Sequence, residues 1–146
     1  MAKIERQSPG DGHADSTTAR LKAAGLRPTR QRIELADLLF TGQDRHVTAE
    51  SLAEEGARAG IKVSLATVYN TLHQFQAAGL LRQVVVDAAR SYFDTNVGDH
   101  QHFFVGDEGL LIDIPGEHIS VSGVPAAPEG LKVDRVDVVV RVVRTS

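Results

Sequence analysis

The sequence predicts an α+β chain in two parts: a helical first part closed by a β-hairpin, then a short β-rich second part. Three observations carry that prediction. Leu65, Val68, Leu72 and Phe75 recur at spacings of three and four, the period of a helix with one buried stripe. Leu80–Val86 and Arg90–Asp94 are strand-like runs on either side of Asp87-Ala88-Ala89, the pattern of a hairpin. Val136, Val138, Val139, Val140, Val142 and Val143 then dominate the end of the chain.

Each element has a local reason. Residues 1–15 are rich in Gly, Asp and Ser and lack an apolar period, so they read as a disordered tail. Ser16-Thr17-Thr18 offers a cap for a short helix, Ala19 to Ala24, stopped by Gly25. Arg27-Pro28-Thr29 restarts the chain, with Pro28 suited to a first helical turn, and Ile33, Leu35, Ala36, Leu38 and Leu39 supply the apolar face as far as Phe40. Val47-Thr48-Ala49-Glu50 opens the next helix, capped by Thr48 with Ser51 behind it, with Leu52, Ala53 and Ala57 as its stripe up to Gly60. Ser64 caps the longest helix, Leu65 to Ala78, which Gly79 ends.

After the short first helix, three helices and a two-stranded hairpin form the layout of a winged helix-turn-helix, here over 16–96. In that layout the third helix enters the major groove and the hairpin flanks it. Such a helix needs small or hydrogen-bonding residues on its exposed N-terminal half, and Ser64, Ala66, Thr67, Tyr69 and Asn70 meet the requirement. Over 97–146, Gln101–Val105, Leu110–Ile114 and Leu131–Val143 read as strands, interrupted by Pro125-Ala126-Ala127-Pro128. About fifty residues bury little by themselves, so this segment reads as a small α/β dimerisation domain that pairs with a second copy.

Composition narrows the function. The chain has 146 residues and no cysteine, which excludes disulfides, a Cys-bound zinc and a thiol nucleophile. No apolar run approaches the ~18 residues of a membrane span, and the first residues are no signal peptide, so the cytoplasm is the expected location and no membrane partner is expected. Residues 1–97 carry twelve Lys/Arg against eleven Asp/Glu, whereas 98–146 carry four against eight. Within 16–32, Arg20, Lys22, Arg27, Arg30 and Arg32 meet no acidic residue, a cluster suited to a polyanion or to a solvated helix face. No Gly-rich phosphate loop, Gly-x-Ser-x-Gly elbow or His-Glu-x-x-His helix marks an enzyme.

The informative histidines are His100 and His102, which alternation on a strand turns to the same side. Asp94, Asp99, Asp107, Glu108 and Asp113 lie nearby in sequence. Imidazole with carboxylate suits zinc, iron(II) or manganese, and paired histidines also suit a haem. A His-x-His beside acids is equally a common surface arrangement.

The strings Leu26-Arg27-Pro28-Thr29-Arg30-Gln31-Arg32, His46-Val47-Thr48-Ala49-Glu50 and Ser64-Leu65-Ala66-Thr67-Val68-Tyr69-Asn70-Thr71-Leu72 resemble the ferric uptake regulator (Fur) family from about residue 20 to 143. The resemblance implies a dimeric, metal-responsive transcription regulator, not an enzyme, acting on an A·T-rich palindromic operator in double-stranded DNA. Carried over residue by residue, the family's interdomain regulatory site falls on His46, Asp94, His100, His102 and Asp113. Its DNA contacts fall on Lys22, Arg27, Arg30, Ser64, Thr67, Tyr69 and Asn70: Lys22 towards a minor groove, Arg27 and Arg30 on phosphates, the rest on the recognition helix. The family's Cys-x-x-Cys zinc site meets Val105 and Glu108 here, and its late histidine meets Val136, so that zinc and a second exchangeable site are expected to be missing.

The retained His-x-His, the missing cysteines and the string Tyr92-Phe93-Asp94-Thr95-Asn96 look most like the iron response regulator (Irr) branch. That branch implies haem sensing, with His100 and His102, joined by His46, as the haem ligands and a haem-delivering protein as a further partner. Three functions remain at this point: an iron-responsive regulator gated by haem or one divalent metal, a regulator sensing manganese or iron(II) alone, and a haem or metal carrier without specific DNA binding.

Overall fold

A computed structural model describes residues 9–145, with side chains described from residue 16. The chain divides into two compact units, one made of the residues up to Val85 with Arg90–Val97, the other of Val86–Ala89 with the residues from Gly98. In this division the hairpin turn Val86–Ala89 groups with the second unit. There the Arg141 guanidinium donates to the Val86 carbonyl.

Among the described residues the first unit contains four helices, α1 (Pro9–Ala23), α2 (Arg30–Leu39), α3 (Ala49–Arg58) and α4 (Leu65–Ala77), and three strands, β1 (His46–Val47), β2 (Arg82–Val85) and β3 (Ser91–Asp94). The expected tail lies outside the described residues up to residue 8. From Pro9 onward the backbone is helical instead. Proline tolerates a first helical turn because its missing N–H would have no partner there, and this start signal was masked in the sequence by Gly10 and Gly12. Pro28 does not enter a helix: Thr29 is the cap of α2, its hydroxyl accepting from the Arg32 N–H at 3.3 Å.

The other caps follow the sequence. Ser64 Oγ accepts from the Thr67 N–H at 3.1 Å. Thr48 and Ser51 form a reciprocal box: Thr48 Oγ1 accepts from the Ser51 N–H at 3.0 Å and Ser51 Oγ from the Thr48 N–H at 2.9 Å. Thr48→Ala is therefore expected to lower stability by about 1 kcal/mol. A fall of the melting temperature by about 2–8 °C in a thermal scan checks it.

One core joins these elements: Leu21 of α1, Leu35, Ala36 and Leu39 of α2, Leu52 of α3, Val68, Leu72 and Phe75 of α4, and Val47 and Phe93 of the sheet. Leu65 does not belong to it. It is 48% exposed, because the first turn of α4 projects past the core, and Thr71 takes a buried position instead. The sheet order is β1-β3-β2, all antiparallel, so the expected two-stranded hairpin gains a third strand that pairs His46 with Asp94 and Val47 with Phe93.

The second unit holds β4 (His100–Val105), β5 (Leu110–Pro115) and β6 (Val139–Val142), in the order β5-β4-β6, with one 3-10 turn at Gly116–His118. β4 runs antiparallel to β5 and parallel to β6. The long strand expected over Leu131–Val143 is only four residues long. Before it, Gln101 Oε1 accepts from the Val138 N–H at 2.6 Å and the His102 N–H donates to the Val138 carbonyl at 3.3 Å, while Leu131 stays 69% exposed. Beyond β6, Arg144 clamps Glu108 of the β4–β5 turn in two bonds of 2.6 and 2.9 Å. That hydrogen bond holds the Glu108 carboxyl below its ordinary value, so its contribution is present above the usual carboxylate range and lost as pH falls through the lowered one. Glu108 stands where the family resemblance placed a zinc-binding cysteine, and an ion pair now occupies the spot. Among the described residues no helix is long and apolar enough to cross a membrane.

Candidate functional site

The expected metal ligands fall into two groups, one per unit. In the first unit, adjacent strands set His46 directly opposite Asp94. His46 Nε2 lies 3.1 Å from Asp94 Oδ2, and the Asn96 N–H donates to Asp94 Oδ1 at 2.9 Å. Asp94 is fully buried. Arg45 holds β1 in place next to this pair. Its N–H donates to Thr95 Oγ1 at 2.8 Å, and its guanidinium reaches both carboxylate oxygens of Glu55 at 3.1 and 2.6 Å.

In the second unit the register of β4 and β5 sets His102 opposite Asp113. Strand alternation turns His100 to the same side, so the two rings meet edge on at 4.6 Å. Both point Nε2 at one oxygen, Asp113 Oδ1, at 3.4 Å from His100 and 3.3 Å from His102. His102 is 1% exposed. His100 Nδ1 lies 2.7 Å from the Gly98 carbonyl, a contact that fixes the ring with its Nε2 towards the carboxylate. Two imidazole nitrogens gathered on one carboxylate oxygen are a donor set that fits a divalent ion. Gly116 keeps the strand ends close: a Cβ there would stand 2.6 Å from the Asp99 carbonyl oxygen, beside His100.

Two features escaped the sequence reading. Strand β1 is too short to show a period. Arg82 is 3% exposed on β2 and sits in register with Asp94, so the acid is flanked by His46 on one side and Arg82 on the other. Alternation held the signal, since Val84 and Val86, at even spacing from Arg82, are buried as well.

The expected nucleic-acid residues lie on the first unit. Arg27, Thr67 and Asn70 line one polar cleft of about 420 Å³ between the start of α2 and α4, together with Arg32 and Gln74 and without an acidic residue. Arg32 is committed to structure there, donating to Gln74 Oε1 at 3.0 Å and to the Arg27 carbonyl at 2.9 Å. Lys22, Arg30, Ser64 and Tyr69 lie outside that cleft. Lys22 is exposed near the end of α1, and Ser64 is engaged as the cap of α4. Arg30 pairs with Glu34 at 2.9 Å, a solvent-exposed contact that leaves the Arg30 side chain 91% exposed. Tyr69 is 47% exposed on α4. Lys62, which the sequence reading passed over, lines a second cleft with Arg30.

Residues 23–140 match the ferric uptake regulator family. The ferric uptake regulation protein of Shigella flexneri is 34% identical over 121 residues, spanning 82% of this chain and 81% of that protein. Its counterpart in Pseudomonas aeruginosa is 36% identical over 94 residues, 64% of this chain and 70% of that protein. The fold resembles that of the Pseudomonas aeruginosa ferric uptake regulator solved with manganese, with a TM-score of 0.65, 27% identity, and coverage of 89% of this chain and 98% of that one. It also resembles the Vibrio cholerae regulator, with a TM-score of 0.67 at 21% identity over 87% and 98% of the two chains.

Proposed function

Because this chain belongs to the ferric uptake regulator family, whose members are transcription regulators and not enzymes, we propose that it is an iron-responsive DNA-binding regulator gated by one divalent ion. The observation that carries this reading is the convergence of two buried imidazoles on a single oxygen of Asp113. His46 and Asp94 supply the remaining donors. Two ligands in one unit and three in the other are too few apart for a five-coordinate ion, and together they make five. Only residues 95–99 separate Asp94 from His100, a link of at most ~20 Å. Nitrogen and oxygen donors of this kind take manganese, iron(II) or zinc.

An ion held by both units restricts their relative freedom and so favours one arrangement of the DNA-binding unit. Couplings of this kind are worth ~1–3 kcal/mol, or ~5–150-fold in DNA affinity. Arg27 and Arg30 hold phosphates, Lys22 reaches a minor groove, and Thr67, Tyr69 and Asn70 face bases of an A·T-rich palindrome. The chain works as a homodimer, for which Leu131, Val133 and Val143 provide exposed apolar surface on the second unit.

Haem on His100 and His102, the trait implied by the iron response regulator branch, is the competing reading. It requires both rings to turn from the shared Asp113 oxygen towards a wide porphyrin face, and their burial against each other favours a small ion. Fluorescence anisotropy on an A·T-rich palindromic duplex separates the readings. Binding is expected to strengthen with manganese(II) or iron(II), to stay unchanged by haem, and to fall steeply between ~50 and 200 mM salt. Haem-dependent release with a shifted Soret band makes the chain a haem sensor. Salt-insensitive, sequence-indifferent binding makes it a carrier.

A further inference from the structure

The recognition helix carries an aromatic ladder that the metal centre and the phosphate contacts do not use. Tyr69 and His73 lie four residues apart on α4, one turn along the same face. Their rings meet edge to face at 4.5 Å between centroids. His73 in turn meets Phe93 of β3 at 5.3 Å and 88°, a perpendicular contact. The three rings pass from solvent to core: Tyr69 is 47% exposed, His73 half-buried and Phe93 1% exposed. Phe93 is itself fixed, paired with Val47 on one side and Gln83 on the other.

From this geometry we infer that His73 is a positioning residue for base reading, holding the Tyr69 ring against the sheet so that the phenol meets DNA in one orientation. The inference rests on the DNA-binding function proposed above. An exposed tyrosine on a helix otherwise samples several rotamers and loses that freedom on binding. A ring packed beneath it removes part of that cost beforehand, the effect by which pre-organised groups gain affinity. Edge-to-face contact is the favoured geometry for such pairs. His73 makes no base contact in this scheme, and its whole effect passes through Tyr69.

The test uses the full chain with manganese(II), an A·T-rich palindromic duplex and a scrambled duplex of the same composition. His73→Ala is expected to weaken palindrome binding about 2- to 10-fold, the range of an aromatic pair, and to leave scrambled binding unchanged. His73→Phe keeps a ring and is expected to stay within about twofold of the wild type. In a Tyr69→Ala background, His73→Ala is expected to add no further loss, since coupled residues are non-additive. Circular dichroism checks that each variant is folded. The inference is overturned if His73→Ala leaves palindrome binding intact, weakens both duplexes alike, or adds its full loss to Tyr69→Ala. A wild type that does not distinguish the two duplexes overturns the DNA-reading function itself, and this inference with it.

Discussion

Asp113→Asn is expected to weaken manganese(II) binding by at least about 100-fold, the upper end of what even outer-sphere changes cost at metal sites. The substitution is nearly isosteric, so it removes the charge and leaves the volume. Asp113 is the point on which His100 Nε2 and His102 Nε2 converge, at 3.4 and 3.3 Å. The neutral amide keeps one weaker oxygen donor and loses the anion that offsets the divalent charge. Asp113 is also about one-third exposed, so the metal-free protein is expected to melt within a few degrees of the wild type. Isothermal titration with manganese(II), together with a melting curve, checks both halves. The operator response to metal should disappear in the same variant, while its metal-free DNA affinity stays at the wild-type value.

Phe75→Ala is expected to destabilise the first unit by about 3–5 kcal/mol, against a total of about 5–15 kcal/mol for an ordinary domain. Phe75 is fully buried, meets Phe40 at 6.3 Å, and stands with Val68 and Leu72 on the stripe that seats α4. The loss combines the transfer of a large ring with the cavity left behind. α4 also carries Thr67, Tyr69 and Asn70, so this variant should lose operator binding at temperatures where the wild type keeps it. Denaturant titration gives the stability change, and Phe75→Leu is expected to recover part of it by refilling the space.

The stripe of α4 was legible because spacing of three and four survives in sequence whatever the helix packs against. Leu65 shows the limit of that signal, since a period says which face is apolar but not where the core ends. His100 and His102 were placed on one side by strand alternation alone. Their partner was not, because pairing His102 with Asp113 is a matter of register between two strands, and only the family resemblance pointed to it. The same holds for His46 and Asp94, which meet through a two-residue strand. The valine run at the chain end overstated β6, because apolar composition marks surface that seeks cover without saying whether a strand or a second copy supplies it. Helix α1 was understated for the opposite reason, its glycines hiding a start at Pro9.

The central claim is that His46 and Asp94 act on the same ion as His100, His102 and Asp113. Calorimetric titration of manganese(II) into the wild type, His46→Ala, Asp113→Asn and the double variant tests it most directly. One ion per chain is expected, weakened by either single change, with the double variant losing much less than the sum because both residues hold one ion. Two ions per chain, or a His46→Ala variant that binds as tightly as the wild type, would contradict it.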